Sequence, residues 1–380
     1  MSSNRAQKMK ERARELGLVQ TSQHDQDISS IKVENCVGFT KVPLGLAGPL
    51  RIVGPGVERR LFAPLATYEA TLVASCSRGC KALDASGGVQ FDVFGDGMSR
   101  GPVFMFKDPG AAIAFYRAVP TLQDEFAEWA KSTGRFVKLK ELRPSVIGSN
   151  VHLFCNYSCG DAAGQNMTTK ATSYACGMLR KKYADKYAIK DFFIEGQMAS
   201  DKKPSWGNVS GTRGVETMAW GTITAASCEK ILGLDTERLH NILKIGKEGE
   251  CRNGQFGSNI NTANILAAMF IALGQDAASV AEASWSQLVS ELDKETGEIT
   301  ISLYFPSLPV GTVGGGTGYS TQKEALNMIG CIGPGGKHTL AGIIACFALA
   351  LDVSTLAAVS NNTFSDAHMR FARGEAKPKL

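Results

Sequence analysis

The segment Asp201-Lys202-Lys203-Pro204 places a carboxylate and two cations in a turn that proline restricts. A fixed ammonium group can stabilise an oxygen atom that gains negative charge during a reaction, and this is often the largest electrostatic contribution to catalysis. A run of three charges is also the usual composition of a solvated surface turn. The segment therefore indicates chemistry only in combination with other residues.

Three further residues could take part in the same chemistry. Glu69 and Asp276 are acids that could hold or transfer a proton, and His368 has a side chain that titrates near neutral pH. Each has an ordinary interpretation on its own: a surface or helix-terminal acid for the carboxylates, and a hydrogen-bonded surface residue for the histidine. Their order and spacing relative to Lys202 are more specific.

These four sites resemble the catalytic domain of 3-hydroxy-3-methylglutaryl-CoA reductases of the eukaryotic type. The resemblance extends over about residues 34–373 and is carried by several long motifs. The motifs are Glu34-Asn35-Cys36-Val37-Gly38, Pro43–Leu50, Leu72-Val73-Ala74-Ser75 with Arg78-Gly79-Cys80, Gly97–Pro102, Asp161–Met167 and Gly311–Thr317. The long amino-terminal membrane region of that family is not expected in this chain.

The resemblance implies a catalytic role for each of the four residues. Lys202 would stabilise the carbonyl oxygen during hydride addition, and His368 would protonate the departing CoA thiolate. Glu69 would donate a proton to the alcohol oxygen, from a buried position where the neighbouring carboxylate of Asp276 helps to keep that proton bound. The family builds its site across a homodimer interface, so we expect Glu69 and Asp276 of one subunit to face Lys202 of the other.

Ligand contacts follow from the same resemblance. Contacts to the acyl substrate are implied for Arg100, Asp201, Lys203, Lys244 and Asn264. Contacts to the CoA part of the substrate are implied for Ser75 and Arg78. Those to NADPH are implied for Arg135, Asp161, Gly164, Asn166, Thr169 and Gly315.

Two sequence features support a dinucleotide site of an unusual kind. No Gly-x-Gly-x-x-Gly pattern follows a predicted strand, so a Rossmann site is not expected. The segment Asp161–Asn166 instead lies at the start of a predicted helix, where backbone N–H groups favour a pyrophosphate. Arg135 falls where the family has an arginine that faces the 2′-phosphate of NADPH.

Several positions depart from the family pattern. Asn261 replaces a histidine, and Glu195 puts a carboxylate where the family has a serine, which predicts repulsion of an anionic acyl group. Lys244 and Lys247 are alternative candidates for the lysine that contacts the substrate, because the residues around Lys247 differ from those at the same place in the family. Residues 372–374 lack the serine that some members use as a phosphorylation switch.

The composition is that of a globular protein large enough for more than one domain: 380 residues, 44% hydrophobic and 20% charged. The net charge of +5 is spread along the chain without a basic run, so nucleic-acid binding is not expected. The ten cysteines lack zinc-site spacing with nearby histidines, which predicts reduced, buried thiols and no metal. Because neither a signal peptide nor an apolar run of about 20 residues occurs, we expect a soluble, cytoplasmic chain.

The pattern of apolar residues predicts an α+β fold. By the resemblance, residues 1–37 form a short helical N-terminal segment, residues 38–101 and 194–380 form a large, mostly helical substrate domain, and residues 102–193 form a small inserted α+β domain that binds NADP(H). The elements expected from the pattern are helices over residues 8–18, 68–83, 111–131, 166–184, 263–273 and 337–358 and strands over residues 87–94, 103–106, 135–142, 150–157 and 300–305.

The resemblance implies NADPH-dependent reduction of hydroxymethylglutaryl-CoA to mevalonate by a homodimer or homotetramer. Two alternatives stay open. The altered residues 195–200 and Asn261 fit a specialised paralogue that uses a different acyl thioester or does non-redox chemistry. A binding protein without catalytic activity is the second alternative, and the joint presence of Glu69, Lys202, Asp276 and His368 argues against it.

Overall fold

The computed structural model describes residues 31–211 and 213–361. His368 and the helix expected over residues 8–18 lie outside these residues. The ten strands, in chain order, are β1 (Leu44–Gly54), β2 (Val57–Ala66), β3 (Val89–Arg100), β4 (Val103–Phe106), β5 (Lys138–Ile147), β6 (Asn150–Ser158), β7 (Ile189–Phe193), β8 (Gly214–Ile223), β9 (Gln287–Leu292) and β10 (Ile299–Leu308).

Helices alternate with these strands. They are α1 (Leu72–Ala85), α2 (Pro109–Lys131), α3 (Gln165–Tyr187), α4 (Trp206–Ser210), α5 (Ala225–Ser227), α6 (Thr236–Asn253), α7 (Thr262–Ala272), α8 (Val280–Ala283), α9 (Ser320–Met328) and α10 (Lys337–Ser360). A π-helical turn at Cys228–Leu232 and two 3₁₀ turns, at Ala277–Ser279 and Gly315–Gly318, complete the helical segments.

Strand β3 joins all ten strands into one sheet. Its residues Gln90–Gly97 pair with β8 and its residues Met98–Arg100 pair with β6, both in antiparallel register. The first group continues to β10 and β9, and the second to β4 and β7. Arg100, the last residue of β3, therefore stands where the two halves of the sheet meet.

Each half of the sheet has its own hydrophobic core. The larger core contains residues of β1, β2, β8 and β10 with those of α1, α7 and α10. The smaller core contains residues of β4, β6, α2 and α3, including Phe104 and Phe115, whose ring centroids lie 5.4 Å apart. The chain passes between the cores near residues 100 and 200, where the charged turn of the sequence lies.

Helix α10 is the centre of the larger core. Its residues from Leu340 to Leu351 are buried, and 94% of its most apolar window lies inside the fold. By length and composition this helix could cross a membrane, but its packing is that of a core helix.

Asp352 is a buried acid of α10 that fixes the start of α7. Its carboxylate accepts hydrogen bonds from the backbone N–H groups of Ile260 at 3.2 Å and Asn261 at 3.0 Å. Burial raises the pKa of Asp352 to about 6, even though these donors favour its ionised form. Since the carboxylate holds orphan donors before a helix, it acts as a cap supplied by a distant element.

The predicted α+β class is confirmed, and most expected elements occur within a few residues of their predicted ends. The expectation that residues 194–380 are mostly helical was incomplete, because β8 begins at Gly214 and β9 follows α8. The inward face of β8 carries small residues such as Thr217 and Ala219, so its alternation is a weak signal.

The close packing of α1 on α10 yields a stability prediction. A Cβ atom at Gly79 would lie 1.7 Å from the carbonyl oxygen of Ala350, so Gly79→Ala must separate the helices. We expect a loss of at least about 2 kcal/mol in the free energy of unfolding, measured by urea denaturation. Gly177→Ala in α3 is the control, because nothing lies within 4 Å of its added methyl group and helix propensity should stabilise it by about 0.5–1 kcal/mol. Equal midpoints for the two variants would contradict the tight contact.

Candidate active site

The loop that carries Lys202 has a strained backbone. Gln197, Ser200 and Lys202 have positive φ angles of 69°, 53° and 58°, a region that side chains other than glycine rarely adopt. Hydrogen bonds hold this conformation, including one from Ser205 Oγ to Ser200 Oγ at 2.6 Å. Such strain persists where surrounding contacts determine the geometry, and it occurs often at functional sites.

Lys202 and Asp276 form an ion pair within one chain. Lys202 Nζ lies 3.0 Å from Asp276 Oδ2, and both side chains are more than one third exposed. The two residues are thus already paired within one chain, and the expected contact of Asp276 with Lys202 of another subunit stays a prediction. Lys202 has a left-handed backbone, and Asp276 directly precedes the 3₁₀ turn Ala277–Ser279.

Asp201 lies between two arginines. Arg213 Nη2 donates to Asp201 Oδ1 at 2.5 Å, and Arg100 Nη1 donates to Asp201 Oδ2 at 3.0 Å. Burial alone would raise the pKa of Asp201, but the two guanidinium groups outweigh burial and hold the pKa below its usual range. Asp201 is therefore ionised and fixed at both oxygens.

Sequence reasoning missed Arg213 and its partner Glu282. The Arg213 side chain is 0% exposed, and it donates to Glu282 Oε2 at 2.5 Å and to the carbonyl oxygen of Ser99 at 2.7 Å. Nothing in the sequence around Arg213 distinguishes it from a surface arginine, so no local signal could have identified it.

Glu195 also contacts Arg100 of β3. Its carboxylate accepts from the backbone N–H groups of Gly101 at 3.2 Å and Gln197 at 2.7 Å, and it lies 3.6 Å from Arg100 Nη1. The repulsion expected from Glu195 is therefore offset, since its charge faces a guanidinium group and two backbone donors.

Glu69 and Asn264 form a separate pair. Asn264 Nδ2 donates to Glu69 Oε2 at 2.6 Å, and Thr71 Oγ1 donates to Glu69 Oε1 at 3.2 Å. The expectation of a buried Glu69 beside Asp276 was wrong for the single chain, because Glu69 is exposed and its partners are neutral. Asn264 lies in the first turn of α7, whereas Asp276 follows the end of that 11-residue helix, about 16 Å along its axis.

A cleft of about 980 Å³ opens beside Lys202 and Asp276. In its wall, two glycine-containing segments approach each other closely. A Cβ atom on Gly311 would lie 2.4 Å from the backbone nitrogen of Ala163. The lining residues include Phe136, Gly160–Met167, Lys202, Gly274–Asp276, Gly311 and Val313–Thr317.

Four of the six residues predicted to contact NADPH line this cleft: Asp161, Gly164, Asn166 and Gly315. Thr169 instead donates to the carbonyl oxygen of Gln165 at 2.8 Å inside α3. Arg135 is exposed, with its guanidinium carbon 5.5 Å from the centre of the Phe136 ring that lines the cleft.

The lysines of α6 and Asn261 do not line the cleft. Lys244 and Lys247 lie near His240, where burial and then these two charges lower the pKa of the imidazole. The side-chain amide of Asn261 donates to Thr355 Oγ1 of α10 at 2.9 Å. In the single chain, none of these side chains joins the Lys202–Asp276 pair.

A second cavity of about 540 Å³ lies beside α1. Arg78, Lys81 and Lys230 line it together with Asp84, so three cations face one carboxylate. Arg78 also donates to the carbonyl oxygen of Ser354 at 2.5 Å, and Ser75 Oγ lies 3.1 Å from Ser354 Oγ. Ser75 is thus tied to α10 and is not among the residues that line the cavity.

The family model described as hydroxymethylglutaryl-coenzyme A reductase matches residues 2–373. The chain belongs to this family. It is similar to the 3-hydroxy-3-methylglutaryl-coenzyme A reductase of Aeropyrum pernix, with 35% identity over 359 residues that cover 93% of this chain and 84% of that protein. It is also similar to 3-hydroxy-3-methylglutaryl-coenzyme A reductase 2 of Solanum lycopersicum, with 34% identity over 89% of this chain and 56% of that protein.

Among solved structures, a class II 3-hydroxy-3-methylglutaryl-CoA reductase of Streptococcus pneumoniae bound to NADPH has the same fold. The TM-score is 0.69 at 19% identity, over 94% of this chain and 97% of that chain. The narrower expectation of a eukaryotic type is not supported, because archaeal members of the family match at least as well as the plant member.

The buried Arg213–Glu282 pair predicts a pH dependence of stability. Burial raises the pKa of Glu282 from 4.5 to about 7, although Arg213 opposes the shift. The folded state therefore binds the proton more tightly than the unfolded state. The stabilising contribution is complete below about pH 4.5 and is lost as the pH rises through about 7.

Glu282→Gln removes this titration. The free energy of unfolding should consequently fall less between pH 4.5 and pH 7 in the variant than in the wild type, by on the order of 1–3 kcal/mol. Urea denaturation at five pH values measures the difference. Parallel curves for the two proteins would mean that Glu282 is already ionised at pH 5.

Proposed function

We propose that this chain reduces hydroxymethylglutaryl-CoA to mevalonate with NADPH and releases CoA. The observation that carries the proposal is the Lys202–Asp276 ion pair at the edge of the cleft. The first residues of the long helix α3 line the same cleft. Family membership over nearly the whole chain supports the same activity.

The cleft fits a dinucleotide. It includes the start of the 23-residue helix α3, where unpaired N–H groups attract a pyrophosphate, and Gly164 caps that helix with a left-handed backbone. The buried ammonium group of Lys337 donates to the carbonyl oxygen of Gly160 at 3.2 Å and to Asp96 Oδ2 at 3.0 Å, so it ties this edge of the cleft to β3. Asp161, Gly164, Asn166 and Gly315 would hold the cofactor, which supplies hydride when bound. Arg135 at the rim would select the 2′-phosphate.

Lys202 would stabilise negative charge on the substrate oxygen, since its ammonium group is exposed to the cleft and oriented by Asp276. Arg100, Asp201 and Lys203 would shape the acyl site around it. Glu69 would supply the proton of the second reduction, with Asn264 as its partner. His368 would protonate the CoA thiolate.

The second cavity fits the phosphate-rich part of CoA. Arg78 with the exposed ammonium groups of Lys81 and Lys230 gives it three cations against the one carboxylate of Asp84, and phosphates bind well where cations are in excess. The same helix α1 begins three residues after Glu69, so a thioester bound along α1 would present its acyl end near that acid. Lys244 or Lys247 would then contact the acyl group.

We also propose a homodimer. One chain carries two half-sites, Glu69 with Asn264 and Lys202 with Asp276, at opposite ends of α7. A two-fold interface makes the same contact twice, so it can bring the first half-site of each subunit to the second half-site of its partner.

An exposed aromatic patch supports this interface. Trp206, which lies four residues after Lys202, is 65% exposed and packs at a tilt against Phe256, with ring centroids 5.3 Å apart; Phe256 is 40% exposed. Ile260, 37% exposed, continues the patch toward Asn264. Large exposed aromatic residues of this kind mark contact surfaces more often than free surface.

The two-domain division is proposed on similar grounds. The smaller core lies between residues 98 and 189, and the larger core uses residues on both sides of this stretch. This supports an inserted domain over residues 102–193 within a domain of residues 38–101 and 194–380.

A different acyl thioester is the second candidate substrate. The observation that favours it is the environment of Arg100, which already faces the carboxylates of Asp201 and Glu195. A guanidinium group with two carboxylates attracts a third anion weakly. A panel of CoA thioesters with and without a terminal carboxylate, followed by NADPH absorbance, separates the two candidates by kcat/KM.

Lys202→Met tests the proposed chemistry. Loss of the ammonium group should lower kcat by about 10²-fold or more while NADPH affinity by fluorescence titration stays near that of the wild type. Lys203→Met is the matched neighbour and should chiefly raise KM, because Lys203 is proposed to bind substrate without stabilising the oxyanion. A Lys202→Met enzyme that keeps more than about half of kcat would remove this lysine from the mechanism.

Mixing inactive variants tests the shared site. When Glu69→Gln and Lys202→Met chains are refolded together in equal amounts, each mixed dimer regains one intact site, and about a quarter of wild-type activity should return. The control mixture of Lys202→Met with Asp276→Asn should stay inactive, since both residues belong to one half-site. Recovery in neither mixture would show that each chain carries its whole site.

A further inference from the structure

A ring of polar contacts, closed by the short backbone segment from Ser279 to Glu282, lies beside the Lys202–Asp276 pair. Arg100 donates to Asp201 at 3.0 Å and to the carbonyl oxygen of Gln165 at 3.3 Å. Gln165 Nε2 in turn donates to Ser279 Oγ at 3.1 Å. Gln165 is the first residue of α3 and lines the cleft, so one ring member belongs to the proposed cofactor site.

Arg213 completes the ring on its other side. Its guanidinium group joins Asp201 to Glu282 with two distances of 2.5 Å, and Glu282 belongs to the short helix α8 that follows Ser279 along the chain. The ring therefore runs from Gln165 through Arg100, Asp201 and Arg213 to the segment of Ser279 and Glu282, and back to Gln165.

Both members of the ion pair are attached to this ring. Lys202 directly follows Asp201, and Asp276 lies three residues before Ser279, whose N–H donates to the Asp276 carbonyl oxygen at 3.0 Å. The distance between the lysine and its aspartate thus depends on how Arg213 holds Asp201 against Glu282. Lys203 is held as well, because its carbonyl oxygen accepts from Asn208 Nδ2 at 3.3 Å.

A stability role explains this arrangement poorly. The Arg213 and Glu282 side chains are both 0% exposed, and the cost of removing two charges from water offsets much of their attraction. A planar guanidinium group is, however, well suited to hold several acceptors in a fixed geometry, which a lysine cannot do. Arg213 uses three of its N–H groups in this way, on Asp201, Glu282 and the Ser99 carbonyl oxygen.

We propose that Arg213 is a positioning residue that sets the placement of Lys202 against Asp276 and links it to Gln165 at the start of the cofactor helix. This inference rests on the proposed reductase function. It assigns to a residue outside the cleft a part in aligning the oxyanion-stabilising group.

The double variant Arg213→Met/Glu282→Leu tests the proposal. It removes both buried charges together and leaves apolar side chains of similar size, a change that proteins often tolerate without loss of stability. The NMR signal of the Lys202 side chain, in protein labelled with ¹³C at lysine Cε and assigned by its absence in Lys202→Met, reports the contact with Asp276 without any turnover. We expect this signal to shift and kcat to fall by about 10- to 100-fold, the range typical of a reacting group displaced by about 1 Å.

Arg238→Met is the matched control. Arg238 is also a hydrogen-bonded arginine, but it lies on α6 and donates to the carbonyl oxygen of Ser360 at the end of α10. Its replacement should lower the melting temperature while the Lys202 signal and kcat stay unchanged. Arg213→Lys is the second test variant in case the double variant does not fold, since it keeps the buried charge and loses the three-way contact.

Variants that behave like the wild type would contradict the proposal. If the folded double variant, or Arg213→Lys, keeps the wild-type Lys202 signal and a kcat within about two-fold of the wild type, Arg213 is structural and the proposal is wrong. Failure of the reductase proposal would appear differently, as a wild-type protein that does not oxidise NADPH with hydroxymethylglutaryl-CoA. The lysine signal would then still decide whether Arg213 positions Lys202.

Discussion

Burial of helix α10 is the constraint on which the rest of the structure depends. Its side chains fill the larger core, and close contact at Gly79 brings α1 against it, which sets the direction in which the chain leaves Glu69. Its Asp352 caps α7, the helix of Asn264, and its first residue, Lys337, holds the carbonyl oxygen of Gly160 under the cleft. One apolar helix therefore supports three separate parts of the proposed site through polar groups at defined positions.

The cleft and the catalytic loop obtain their precision in different ways. Around the cleft, glycines allow backbone segments to approach within van der Waals distance, as Gly274 does at the carbonyl of Gly316. The catalytic loop instead uses left-handed residues that charged contacts hold in place. A strained loop costs free energy, and buried arginine contacts can offset that cost while they fix its shape.

Much of the fold followed from the sequence, because α2 has the apolar spacing of an amphipathic helix and α10 is a long, continuously apolar stretch. The ion pair of Lys202 with Asp276 inside one chain went beyond the resemblance, which implied contact across subunits, although both residues could be named as site residues from their motifs. Arg213 and Glu282 could not, since their importance arises from burial, which depends on tertiary packing and not on neighbours in the chain. The separation of Glu69 from Asp276 was missed for a related reason: sequence order does not show that α7 holds their surroundings apart.

The departures at Glu195 and Asn261 take on a different meaning in three dimensions. Glu195 binds Arg100 and two backbone N–H groups, so it contributes to the rigid loop as well as to the charge of the acyl site. Asn261 faces Thr355 of α10 and accordingly belongs to the support of α7. Neither change removes a group that the proposed hydride chemistry needs. They affect recognition of the acyl group, because Arg100 is already paired with two carboxylates of the protein and therefore attracts a substrate carboxylate less strongly.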